Sequence, residues 1–123
     1  MDISSDFSDL LRVLNATGAE YLVIGALAVG FYAEPRATSD FAIWIGASRE
    51  NAARVLNVLV EFGAPVSDLS IDELAQPDLV YMIGAIPFRV HILTTIDGVE
   101  FNEAWLNRMS SKIDDVPMAY IGN

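Results

Sequence analysis

Hydrophobic positions fall in short blocks whose period changes along the chain. Between residues 6 and 16, Phe7, Leu10, Leu11 and Leu14 recur at spacings of three and four, which predicts an amphipathic helix that Gly18 stops. Tyr21–Ile24 is a run of strand formers ended by Gly25. The stretch ALAVGFYA, residues 26–33, has a helical composition up to Pro35. Residues 41–45 read as a second strand. Ser48 caps a helix running to Phe62, whose broad apolar face of Ala52, Val55, Leu56, Val58, Leu59 and Phe62 is closed by Gly63. Ser70 and Glu73 form a capping box for a turn or two of helix before Pro77.

Further on, residues 79–83 and Phe88–Leu93 are two strands joined by GAIP, a connection short enough to make them antiparallel neighbours. Residues 99–108 return to the helical pattern with Phe101, Ala104, Trp105 and Leu106. Asp114 and Asp115 mark a turn, and residues 116–121 a last strand. This order predicts one α+β domain over residues 1–123, with a small, mixed, mostly antiparallel sheet and helices packed mainly on one face.

Bulk properties narrow the partners. No stretch approaches the roughly 18 to 20 apolar residues of a membrane span, and MDISSDF lacks the basic start and apolar core of a signal peptide, so a soluble cytoplasmic protein is expected. The formal charge of −10 repels a large nucleic acid but leaves room for a small phosphate ligand. With no cysteine, thiolate metal sites and cysteine nucleophiles are excluded. A sheet edge left uncovered near the chain's end would favour a homodimer.

Side chains alternate along a strand, so Asp40, Ala42 and Trp44 share one face, as do Arg89, His91 and Leu93. If these strands are neighbours, Asp40, Ala42 and His91 meet on one patch beside the turn at Gly25. Trp44, Phe31, Tyr32 and Tyr81 would wall it. Arg36, Thr38 and Ser39 precede Asp40 in the loop PRATSD, where an arginine can meet a phosphate and hydroxyls can cap or form turns.

The runs YLVIGALAVGFYAEPRATSDFAIWI and FRVHILTTIDGVEFNEAW resemble small bacterial nucleotidyltransferase-like proteins of the polymerase-beta superfamily, a group that includes minimal nucleotidyltransferases and some toxin-antitoxin components. The resemblance implies a glycine turn that cradles a nucleoside triphosphate, and three aspartates on adjacent strands. Such carboxylates hold two Mg²⁺ ions about 3.5–4 Å apart, which orient the attacking oxygen and neutralise phosphoryl charge. Carried over by position, Gly25 matches the first turn glycine and Ala26 stands for the second small residue. Asp40 matches the first aspartate, while Ala42 and His91 occupy the second and third positions. The family's following helix with its lysine is expected to be missing, since the chain stops at Asn123.

One carboxylate beside an imidazole is a poor magnesium site, because Mg²⁺ takes hard oxygen ligands in near-octahedral geometry. The joint change is the pattern of a degenerate or rebuilt site, with no metal and no cofactor expected. On one reading the scaffold binds a small ligand through Gly25, Ala26, Arg36, Thr38, Ser39, Ala42, Trp44 and Arg89, or binds a partner, without chemistry. On another, Asp40 orients His91 as a general base for proton abstraction or ester cleavage, a role suited to a side chain that titrates near neutral pH. A magnesium-dependent nucleotidyltransferase is the third reading, and the only one that needs Mg²⁺.

Overall fold

The computed structural model describes residues 3–24, 40–64, 66–85, 88–113 and 115–121, with the side chains of residues 3–6, 40, 41, 84, 85, 88 and 89 left out of the description. Helix α1 (Ile3–Thr17) leads into β1 (Tyr21–Ile24); β2 (Asp40–Ile45) is followed by α2 (Arg49–Phe62) and the single turn α3 (Ile71–Leu74). The hairpin β3 (Val80–Ala85) and β4 (Phe88–Leu93) precedes α4 (Phe101–Leu106), and a second hairpin, β5 (Met109–Ile113) and β6 (Val116–Tyr120), completes the order. The six strands form one sheet in the order β3-β4-β2-β1-β6-β5. Pairs β1–β2, β3–β4 and β5–β6 are antiparallel, while β1–β6 and β2–β4 are parallel. This is the mixed, mostly antiparallel α+β architecture that the hydrophobic pattern predicts.

Helix ends obey local chemistry. The Ser48 Oγ accepts from the Asn51 backbone N–H at 3.1 Å, and Gly63 takes the left-handed conformation, φ 92°, that lets the Ala64 N–H reach back to the Leu59 carbonyl at 2.9 Å. At α3 the capping box is complete: the Glu73 N–H donates to Ser70 Oγ, and the Ser70 N–H donates to the Glu73 carboxylate.

One face of the sheet is sealed by three helices. Phe7, Leu10, Leu11 and Leu14 of α1 and Ala52, Val55, Val58 and Leu59 of α2 are all buried, and they cover Val23, Ile43, Ile45, Val90 and Ile92 of the central strands. Tyr21 joins this core. Its hydroxyl donates to Asn15 Oδ1 at 2.9 Å and accepts from the Ala119 N–H at 3.3 Å; burial pushes the phenol above its ordinary value, opposed by those two hydrogen bonds.

Among the described residues the opposite face is covered by α4, which lays Phe101, Ala104 and Trp105 over Leu22, Ile24 and Trp44. Among the described residues, helices thus pack mainly on one side.

Three expectations are revised. The stretch MSSKI forms β5, which its weak alternation does not announce; Asp115, at φ 65°, helps turn the chain so that Ile113 pairs with Val116. The helix expected over residues 99–108 is shorter, because Val99 is drawn into a bridge with Ile96. Tyr81 lies on the helical face, opposite Ile92 in register, and so does not wall the patch at His91. The expected helix at residues 26–33 falls outside the described residues.

Candidate functional site

β2 and β4 have no connection shorter than the whole of α2, α3 and β3, yet they pair in parallel over five residues: Asp40 with Arg89, Phe41 with Val90, Ala42 with His91, Ile43 with Ile92 and Trp44 with Leu93. Every second pair belongs to one face. Asp40, Ala42 and Trp44 therefore share a face with Arg89, His91 and Leu93. On its other flank His91 is paired with Met82 of β3, and Ala42 with Ile24, the last residue of β1. The end of β1 and the beginnings of β2 and β4 thus converge at one end of the sheet.

The patch is graded along the strands. Trp44, two residues beyond Ala42, is 1% exposed and sealed under α4. Its ring meets Phe101 edge to face, with centroids 5.1 Å apart and planes at 88°. The Trp44 indole Nε1 is buried and has no hydrogen-bond partner among the described residues. Phe101 stacks in turn on Trp105, and the Arg108 guanidinium lies 3.9 Å from the Trp105 ring centroid. Towards the strand starts the cover thins: Ala42 and His91 are half-buried and Met82 is exposed. Trp44 is the floor beyond this patch, where the sequence placed it as a wall.

α4 can lie this close because Gly46 follows β2. A Cβ there would come within 3.1 Å of Phe101 Cε2 and 3.4 Å of Asn51 Nδ2. Asn51, 2% exposed, fixes the same corner. Its Nδ2 donates to the Gly46 carbonyl at 2.8 Å and to the Glu20 carbonyl at 3.0 Å, while its Oδ1 accepts from the Glu20 N–H at 2.7 Å. This buried amide was not singled out from the sequence, although a polar residue one turn ahead of Val55 on a buried stripe is a readable sign of a satisfied internal partner.

Gly25, Ala26, Phe31, Tyr32, Arg36, Thr38 and Ser39 lie outside the described residues, as do the side chains of Asp40 and Arg89. Among the described residues no three His, Asp or Glu side chains gather into a metal-binding group. What the register brings together is a methyl group, an imidazole and a thioether, with Asp40 and Arg89 one step along the same face. An imidazole there can exchange a proton or donate a hydrogen bond; the methyl and thioether offer a hard cation nothing.

No family model, curated protein or solved structure matches the chain. Among the described residues, no helix is long and apolar enough to cross a membrane.

Proposed function

We propose that the chain is a nucleotidyltransferase-like scaffold that has lost its two-metal site, and that the patch at Asp40, Ala42 and His91 binds a small ligand without transferring nucleotides. One observation carries this: Ala42 and His91 are register partners on adjacent parallel strands. Those are the two positions at which the resemblance calls for carboxylates. A methyl group and an imidazole cannot replace two hard oxygen ligands, so the phosphoryl charge of a bound nucleotide would go without its metal clamp. The reading includes a cytoplasmic protein with no large nucleic-acid partner, in keeping with a formal charge of −10.

Nucleotide-dependent labelling in the presence of Mn²⁺, with metal binding followed by tryptophan fluorescence, tests the loss of the metal site. The native chain is expected to show neither labelling nor a micromolar Mn²⁺ response, and the double variant Ala42→Asp, His91→Asp is expected to gain the Mn²⁺ response. Manganese-dependent labelling by the native chain would sink the proposal. ATP and inorganic phosphate in EDTA serve as ligand probes: a saturable thermal shift that disappears when Ala42→Phe fills the patch supports binding there.

The small side chain beside a half-buried imidazole favours a second reading, in which His91 acts as a general base. Hydrolysis of p-nitrophenyl acetate should then be measurable in the native chain and vanish in His91→Ala. A rate that survives that change dismisses the general base.

A further inference from the structure

The two edges of the sheet are built differently. β5 carries Ser110, Ser111 and Lys112, polar and charged side chains of the kind that discourage pairing with another chain. β3, at the opposite edge, reads VYMIGA, with no charge and no proline. Its backbone orientation follows from the ladder. The Thr94 N–H donates to the Leu79 carbonyl at 3.1 Å, and the register that pairs Val80 with Leu93 continues to set Leu79 opposite Thr94. In an antiparallel pair, residues bonded to the neighbour alternate with residues facing away. Tyr81 and Ile83 therefore bond to β4, and the N–H and C=O groups of Val80 and Met82 face outward. Among the described residues, β4 is the one strand paired with β3.

The flanks of this edge have opposite character. On the His91 face Val80 is 65% and Met82 50% exposed. On the helical face the Tyr81 hydroxyl donates to Asp68 Oδ1 at 2.8 Å; desolvation, followed by the carboxylates of Asp68 and Glu73, pushes this phenol above its ordinary value. One flank is apolar and the other acidic.

We infer that β3 accepts an extended basic segment of a partner protein as an added strand, with apolar residues beside Val80 and Met82 and Lys or Arg beside Tyr81, Asp68 and Glu73. Strand addition draws affinity from main-chain hydrogen bonds and selectivity from alternate side chains, so an alternating apolar and basic sequence is what this edge reads. A second copy is the poorer occupant. It would set two chains of formal charge −10 edge to edge and gather both acidic sets on one face. The contact is independent of any ligand at Ala42 and His91.

Fluorescence anisotropy with a labelled nine-residue peptide of alternating Val and Lys tests this on the full chain, against an alternating Val and Glu peptide and a Val and Lys peptide with a central Pro. The Val and Lys peptide is expected to bind saturably and more weakly as salt rises, and the other two peptides are expected to fail. Met82→Pro removes one outward N–H while leaving the ladder to β4 intact, and should weaken binding about tenfold or more. Circular dichroism and the thermal midpoint confirm that the variant is folded; should it unfold, the double variant Asp68→Asn, Glu73→Gln decides, because it keeps the capping box and must weaken both the binding and its dependence on salt. Equal affinity for the acidic peptide, no binding of the basic one, or a folded Met82→Pro that binds as the native chain does overturns the inference. So does a concentration-dependent dimer in light scattering that Met82→Pro abolishes, which would make a second copy the occupant.

Discussion

The helical face of the sheet and the face that carries His91 share the same strands yet are covered to different depths. On the helical side α1, α2 and α3 bury a continuous core from Phe7 to Met118, with most of its side chains at 2% exposure or less. On the His91 side, among the described residues, a six-residue helix seals Leu22, Ile24 and Trp44, with Ala42 packed against that cluster, while His91 is half-buried and Met82 exposed. Alternation makes the contrast possible: Ile43 and Ile92 are buried in the helical-face core while their neighbours Ala42 and His91, on the other face, are half-buried. A sheet covered by helices on one side can keep the other for binding, because stability is met by the first and leaves side-chain identity on the second free.

Removing bulk from the helical face gives the largest effect. Phe7 is fully buried against this core, so Phe7→Ala should cost about 3–5 kcal/mol, the usual price of truncating a buried aromatic. That is a large share of the about 5–15 kcal/mol by which domains of this kind are stable. Urea unfolding measures it, and a loss below about 1 kcal/mol would mean that α1 does not pack on the sheet as described.

A smaller effect comes from the same face through pH. Tyr21 holds its proton more tightly when folded than when unfolded, since burial raises its value from 10.0. Between the two values the unfolded chain has released a proton that the folded chain keeps, so stability falls as pH rises. The contribution is whole below about pH 10 and is lost progressively above it, through the raised folded value. Tyr21→Phe should flatten that alkaline decline while costing some stability at neutral pH through Asn15 and Ala119, which lose their partner. Denaturant midpoints measured from pH 8 to 11 for both chains decide it, and an alkaline slope unchanged by the substitution would remove Tyr21 as its source.

Much of the helical face is written locally. Ser48, Gly63 and the Ser70–Glu73 box state where α2 and α3 begin or end, and the spacing of Phe7, Leu10, Leu11 and Leu14 states which side of α1 is buried. The His91 face is written less directly. Alternation places Ala42 and His91 on definite sides of their strands, but the parallel pairing that joins those strands spans α2, α3 and β3 and is recorded in neither segment. Tyr81 shows how a site goes astray: one step of register separates it from Met82, and that step puts it on the other face. β5 is hidden for a different reason, since MSSKI becomes a strand through the turn and partner that follow it rather than through its own alternation.

The smallest effect on stability is expected at His91, and there the two faces separate most cleanly. His91 is half-buried, with Ala42 and Met82 as its register partners, so truncation to alanine removes less sealed area than at a fully buried residue of the same strand. His91→Ala should shift unfolding by less than about 1 kcal/mol, well below Phe7→Ala. Its neighbours across the same strand, Val90 and Ile92, are buried in the helical-face core, so Val90→Ala or Ile92→Ala measured alongside supplies the contrast within a single strand. Each of those should cost several-fold more than His91→Ala, because only they leave a cavity against α1 and α2. If His91→Ala is instead the costlier change, the imidazole is part of the packed framework, and the division of the sheet into a packed face and a less buried one fails at the residue on which it depends most.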